Sequence, residues 1–148
     1  MIKETTYKEY IEENEFLVYA PRGVSMLPLI KEGIDSVRLV KIKRPIKKYD
    51  VLLYSRENGS CVLHRVVRVC KESYDMMGDN QWIIERGVKK DNIIALMDGV
   101  YKGEKFISIN SFRYKIYARF RVWFRFFRRV NNYIKRRVFK RNNKEKNK

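Results

Sequence analysis

Tyr49-Asp50-Val51-Leu52-Leu53-Tyr54-Ser55, then Glu57-Asn58-Gly59-Ser60, then Cys61-Val62-Leu63-His64-Arg65-Val66-Val67-Arg68-Val69-Cys70: this stretch decides the fold. Two β-prone apolar runs flank an Asn-Gly turn signal, so the stretch reads as a β-hairpin. Upstream, Phe16 to Ala20 is a compact β-prone run stopped by Pro21 and Gly23. Val37, Leu39 and Lys41 alternate with Arg38, Val40 and Ile42 in a strand-like pattern. Downstream, Tyr74 to Met77, Ile93 to Met97 and Lys105 to Ile109 supply further short strands. Many short strands separated by polar turns predict a mostly β body, an antiparallel sheet or small barrel.

Both ends carry a different period. Residues 3–14 are polar with Tyr7, Tyr10 and Ile11 at helical spacing, which predicts a short N-terminal helix. From Ser111 onward, Phe112, Ile116, Phe120, Trp123, Phe124, Phe127, Val130, Ile134 and Val138 recur at steps of three and four. That is one face of a long amphipathic helix, about 30 residues or roughly 45 Å. The expected division is a helical segment over 1–15, a β body over 16–110, a basic amphipathic helix over 111–141 and a disordered tail over 142–148.

Composition sharpens this division. A chain of 148 residues holds one modest core with an appendage. The net charge is +17, from 34 basic and 17 acidic residues. Residues 111–148 hold 15 of the Lys and Arg against the single acid Glu145, leaving 19 basic and 16 acidic residues in 1–110. The basicity belongs to the C-terminal segment. Residues 1–9 carry no apolar signal region, and no uncharged run approaches the ~18–20 residues of a spanning helix. Cys61 and Cys70 bracket one strand, about 30 Å apart if extended, too far for a disulfide. Reduced thiols without an export signal favour the cytoplasm.

Two side chains suggest chemistry. Ser25 stands in Gly23-Val24-Ser25-Met26-Leu27-Pro28, and the only histidine, His64, lies in the second strand of the hairpin. A serine hydroxyl becomes a nucleophile when a base takes its proton and a third group orients the base. Taken singly, these segments read as a loop and a strand histidine, and Gly78-Asp79-Asn80 as a turn. In this order and with these neighbours, they resemble the signal peptidase family and its relatives, the self-cleaving repressor peptidases, over residues 16–105.

The resemblance implies an antiparallel β peptidase body with Ser25 as nucleophile and His64 as base, then acid. His64-Arg65-Val66 is similar to the histidine branch of the family, the endoplasmic-reticulum and archaeal type, where bacterial enzymes and repressors use lysine. Two acids compete for the orienting role. Asp79 matches the aspartate of Gly-Asp-Asn, and Glu85 stands where the histidine branch has a second aspartate. Asp35 and Asp50 resemble the family's Gly-Asp turns and read as structural. Three positions depart from the family pattern. Gly23 replaces a serine that helps bind the oxyanion, leaving backbone N–H groups such as that of Ser25 for the task. Tyr49 and Ala95 each replace a common glycine. With His64 as base, activity is expected to rise through its reference pKa of about 6.5.

The implied function is a serine endopeptidase that cleaves a precursor or leader peptide, after small residues. The basic aromatic segment reads best as a helix lying on an anionic membrane surface, contacting it through Phe112, Ile116, Phe120, Trp123, Phe124 and Phe127 with Arg121, Arg125 and Arg128. This gives a peripheral protein on the cytoplasmic face. Nucleic-acid binding would use the charge but not the aromatic face, and a bland alternative packs that face on the body. One His and two Cys do not meet a zinc ligand count, no nucleotide fingerprint is present, and no cofactor is expected. Oligomeric state stays open. Two rival functions remain: an inactive membrane-binding module on a peptidase fold, and a self-cleaving regulator of the repressor type. No DNA-binding helix pair precedes Ser25, which weakens the second.

Overall fold

A computed structural model describes residues 4–124. Eight strands form one antiparallel sheet: β1 (Phe16–Tyr19), β2 (Asp35–Val40), β3 (Val51–Ser55), β4 (Cys61–Val69), β5 (Ser73–Met77), β6 (Glu85–Lys89), β7 (Ile93–Lys102) and β8 (Lys105–Ser108). Their order is β1-β2-β7-β3-β4-β5-β6, with β8 paired to β7 off this path. Helix α1 (Glu4–Glu13) precedes the sheet and α2 (Phe112–Trp123) follows it.

The expected hairpin is β3–β4, in register Val51↔Arg65 through Ser55↔Cys61. Arg56 N–H donates to the Ser60 carbonyl and Gly59 N–H to that of Arg56, closing the turn. Every residue of β3 is buried, because both faces of the sheet are covered. Side chains alternate across a strand, and the two clusters divide accordingly. Val51 and Leu53 face a core with Val37, Leu39, Leu63 and Met97, closed by Ile11 of α1 and by Tyr114 and Ala118 of α2. Leu52 and Tyr54 face the other, with Val66, Met76, Val88 and Leu96. Each fully buried aliphatic side chain contributes roughly 1.5–3 kcal/mol. Irregular registers at Arg38/Leu39, Leu53/Tyr54, Val66/Arg68 and Tyr74/Met76 bend the strands.

The sequence pattern misses β6 and stops β7 five residues short. Glu85-Arg86-Gly87-Val88-Lys89 has one buried apolar residue, Val88, and pairs with β5 all the same. Cys61 and Cys70 are not joined in a disulfide. Asp35 accepts from Lys31 N–H at 2.7 Å and from Lys102, while Asp50 accepts from Arg44 and from Lys47 N–H at 2.8 Å.

Helix α2 starts at Ser111, whose hydroxyl accepts from Tyr114 N–H. It docks through Tyr114, Ala118 and Val122. The expected stripe faces outward instead: Phe112 and Trp123 are 77% and 71% exposed, with Ile116 and Phe120 also exposed. The remainder of the expected long helix, including Arg125, Phe127 and Arg128, and the tail 142–148 lie outside the described residues.

Candidate active site

Ser25 opens a turn running to Leu29, between β1 and β2. Met26 and Ile30 are buried and fasten this segment to the core. The left-handed backbone of Gly23, at φ 89°, starts the bend. Gly78-Asp79-Asn80 then grips it from outside. Asn80 N–H donates to the Ser25 carbonyl at 2.7 Å, and the Asn80 side chain to that of Val24 at 3.2 Å. Gly78 lies so close that a Cβ there would sit 2.6 Å from the Ser25 carbonyl oxygen. Only glycine permits this approach.

His64, on β4, is 3% exposed. Its Nδ1 lies 3.1 Å from the Tyr54 hydroxyl, and that hydroxyl donates to Glu85 Oε2 at 2.7 Å. A phenol has one proton. Given to the carboxylate, it leaves the oxygen to accept from Nδ1–H, which puts the lone pair of the neutral imidazole on Nε2. Arg56 holds Glu85 from the far side, Nε to Oε1 at 2.9 Å. Burial pushes the His64 pKa down to about 4, the Arg56 charge adding to this against the opposing pull of Glu85 and Asp79. Desolvation acts to raise the Glu85 pKa, but the Arg56 and Tyr54 hydrogen bonds and the nearby positive charge outweigh it and hold the carboxyl low. Burial, then Glu85, keeps the Tyr54 phenol protonated.

Of the two acids proposed to orient the histidine, neither touches it directly. Neighbours on a strand face opposite ways, and Asp79 belongs to the side of Arg65. Arg65 Nε and Nη2 each donate to Asp79 at 2.7 Å, a bidentate pair with both side chains 0% exposed. Arg65 also donates to the Tyr49 carbonyl at 2.8 Å and to the Tyr114 hydroxyl, and Tyr117 donates to Asp79. Asp79 is therefore the centre of a buried knot under α2. Glu85 reaches His64 only through Tyr54, a residue that nothing in its local sequence marks out from the rest of an apolar strand.

Ser25 and His64 line one cleft of about 290 Å³, with Tyr19, Arg22, Gly23 and Gln81 among its walls. Within the described residues no hydrogen bond joins the two side chains. Such contacts are often long without substrate and tighten when it binds. The cleft mixes polar and apolar walls. From α2, Arg121 Nη2 donates to the Leu27 carbonyl at 3.1 Å and the Asp79 carbonyl at 2.5 Å. Arg121, expected at a membrane, thus faces the Ser25 loop. Phe124 ends the helix half-buried, its ring centroid 4.1 Å from that of Phe120.

Tyr49 has φ 83°, the left-handed region that glycine occupies freely. No helix among the described residues is long and apolar enough to cross a membrane. No model of a known protein family matches the sequence, and no curated protein does.

Proposed function

We propose that this chain is a serine endopeptidase of the signal-peptidase type that cleaves a precursor or leader peptide at a membrane surface. The observation that carries the reading is the shared cleft of Ser25 and His64, with the imidazole held so that Nε2 bears the free lone pair. Ser25 Oγ attacks the scissile carbonyl carbon and its proton passes to His64 Nε2. The tetrahedral intermediate collapses when His64 returns that proton to the leaving amine, and water then releases the acyl group by the same two transfers. The imidazolium formed between steps donates to Tyr54, whose own proton leans toward Glu85. Backbone N–H groups of the Ser25 turn serve the oxyanion. The outward aromatic face of α2 supports the membrane part of the reading.

The test is cleavage of a pooled precursor-peptide library on anionic liposomes, read by mass spectrometry, wild type beside Ser25→Ala. A product made only by the wild type supports the peptidase. The second reading, an inactive membrane-binding module, is favoured by the engagement of Asp79 with Arg65 and the absence of a carboxylate directly on His64 among the described residues. Vesicle binding with no cleavage of any precursor would select it.

A further inference from the structure

A second cleft, about 470 Å³, opens between the 44–50 loop and α2. Arg44, Lys47 and Lys48 come from the loop, Lys115 and Arg119 from the helix, and the buried Tyr114 and Ala118 form the floor. Asp50 is the one carboxylate lining it. It already accepts from both terminal nitrogens of Arg44 and from Lys47 N–H. The remaining four cations have no carboxylate among the lining residues to answer them.

Tyr49 organises both walls. Its ring lies 5.2 Å from Lys48 Nζ and 5.7 Å from Arg119 Cζ, so one aromatic face system holds a cation from each side. The ring rests on a fixed backbone. Tyr49 N–H donates to the Val66 carbonyl at 2.8 Å, and the Tyr49 carbonyl accepts from the buried Arg65. Preorganised cations around a cavity suit a phosphate oxyanion.

The helix geometry says more. Arg119 is three or four residues from Ile116 and Trp123, and Lys115 is three from Phe112, so they are surface neighbours along α2. The cationic cleft therefore runs directly into the exposed apolar stripe. A free phosphate would use the first and leave the second in water. A phospholipid uses both at once. We infer that the cleft between the 44–50 loop and α2 seats the phosphate of an anionic phospholipid, whose glycerol and acyl chains follow the Phe112–Ile116–Trp123 stripe. This rests on the membrane-surface part of the proposed function and is independent of the peptidase part.

The experiment follows backbone amide shifts of the full chain with three monomeric probes: dihexanoylphosphatidylglycerol, dihexanoylphosphatidylcholine and inorganic phosphate. Flotation with phosphatidylglycerol vesicles runs in parallel. Phosphatidylglycerol should shift Lys47–Asp50, Lys115–Arg119 and the stripe together, with phosphatidylcholine at least about tenfold weaker. Lys48→Ala combined with Arg119→Gln should lose about tenfold in affinity while the amides of the sheet keep their wild-type positions. Vesicle binding with unmoved cleft amides, or with wild-type affinity in the double variant, would overturn the cleft and leave the membrane reading standing. Phosphate binding as tightly as the lipid, with the stripe untouched, would overturn the lipid and leave a small-anion site. Shifts with monomers but no flotation would keep the cleft and sink the membrane reading.

Discussion

Tyr54 stands between His64 and Glu85 and changes what each partner is expected to do. A carboxylate bonded directly to an imidazole raises its pKa, whereas a phenol between them passes on orientation with less charge. Tyr54→Phe should therefore lower kcat on the order of 10–100-fold, part of the ~10²–10⁴ that general acid–base catalysis supplies. KM should move little. Glu85→Gln should act in the same direction and more mildly, since an amide oxygen still accepts from Tyr54. Asp79→Asn belongs to a different class. It leaves Arg65 buried without its charge partner, at a cost of roughly 3–5 kcal/mol in stability, so urea denaturation should separate it from the other two. The pH behaviour follows from His64. Only the neutral imidazole can take the serine proton, so with a pKa of about 4 activity should be level from pH 5 to 8 and fall near 4. This moves the acid limb well below the 6.5 expected for an unburied histidine. Stability carries the same signature. The unfolded chain binds this proton more readily, so His64 stabilises the fold above about pH 6.5, and that contribution fades as the pH falls toward 4. His64→Gln should flatten the slope of unfolding free energy between pH 6.5 and 4.5.

At the scale of elements, α2 has two working faces. Arg121 on the inner face ties the helix to the Leu27 carbonyl of the Ser25 turn and to the Asp79 carbonyl. Arg121→Ala should loosen the Ser25 turn and reduce kcat without touching the histidine, and faster amide exchange across Met26–Ile30 would report it. Gly78→Ala pushes a methyl against the Ser25 carbonyl. Backbone must yield there, so loss of both activity and thermal stability is expected. Much of this architecture was legible in the chain. The β3–β4 hairpin carries its own turn signal, and the β prone runs of β1, β2, β5 and β8 alternate or end at polar turns. What escaped did so for physical reasons. β6 is charged and gains its partner from β5, not from any period of its own. On α2 the large residues draw attention to the outward stripe, while the docking face uses Tyr114, Ala118 and Val122, two of them small. Ser25 and His64 could be named from their local settings, but Tyr54 could not. Its role depends on Glu85 arriving from a distant strand, and the Arg65–Asp79 pair was similarly hidden because strand alternation decides which residue each acid meets.

Across the whole molecule the charge is segregated, with nearly all of the +17 beyond residue 110. Flotation with anionic vesicles at 0.1 M salt should weaken sharply toward ~1 M, where the Debye length falls from about 10 Å to about 3 Å. Phe112→Ser with Trp123→Ser should weaken what high salt leaves. A chain ending at residue 110 lacks Tyr114 and Ala118 from the main core and Arg121 from the Ser25 loop, and should be less stable as well as less active. The strand order has one more consequence, and it concerns time. β7 lies between β2 and β3, so within the sheet the two strand pairs β1–β2 and β3–β4 are joined by a strand synthesised after both. On a ribosome adding about 5–20 residues per second, Ser25 and His64 are both made seconds before the strand that joins their parts of the sheet. Until β7 slots in, the sheet that carries both residues exists only as separate pieces.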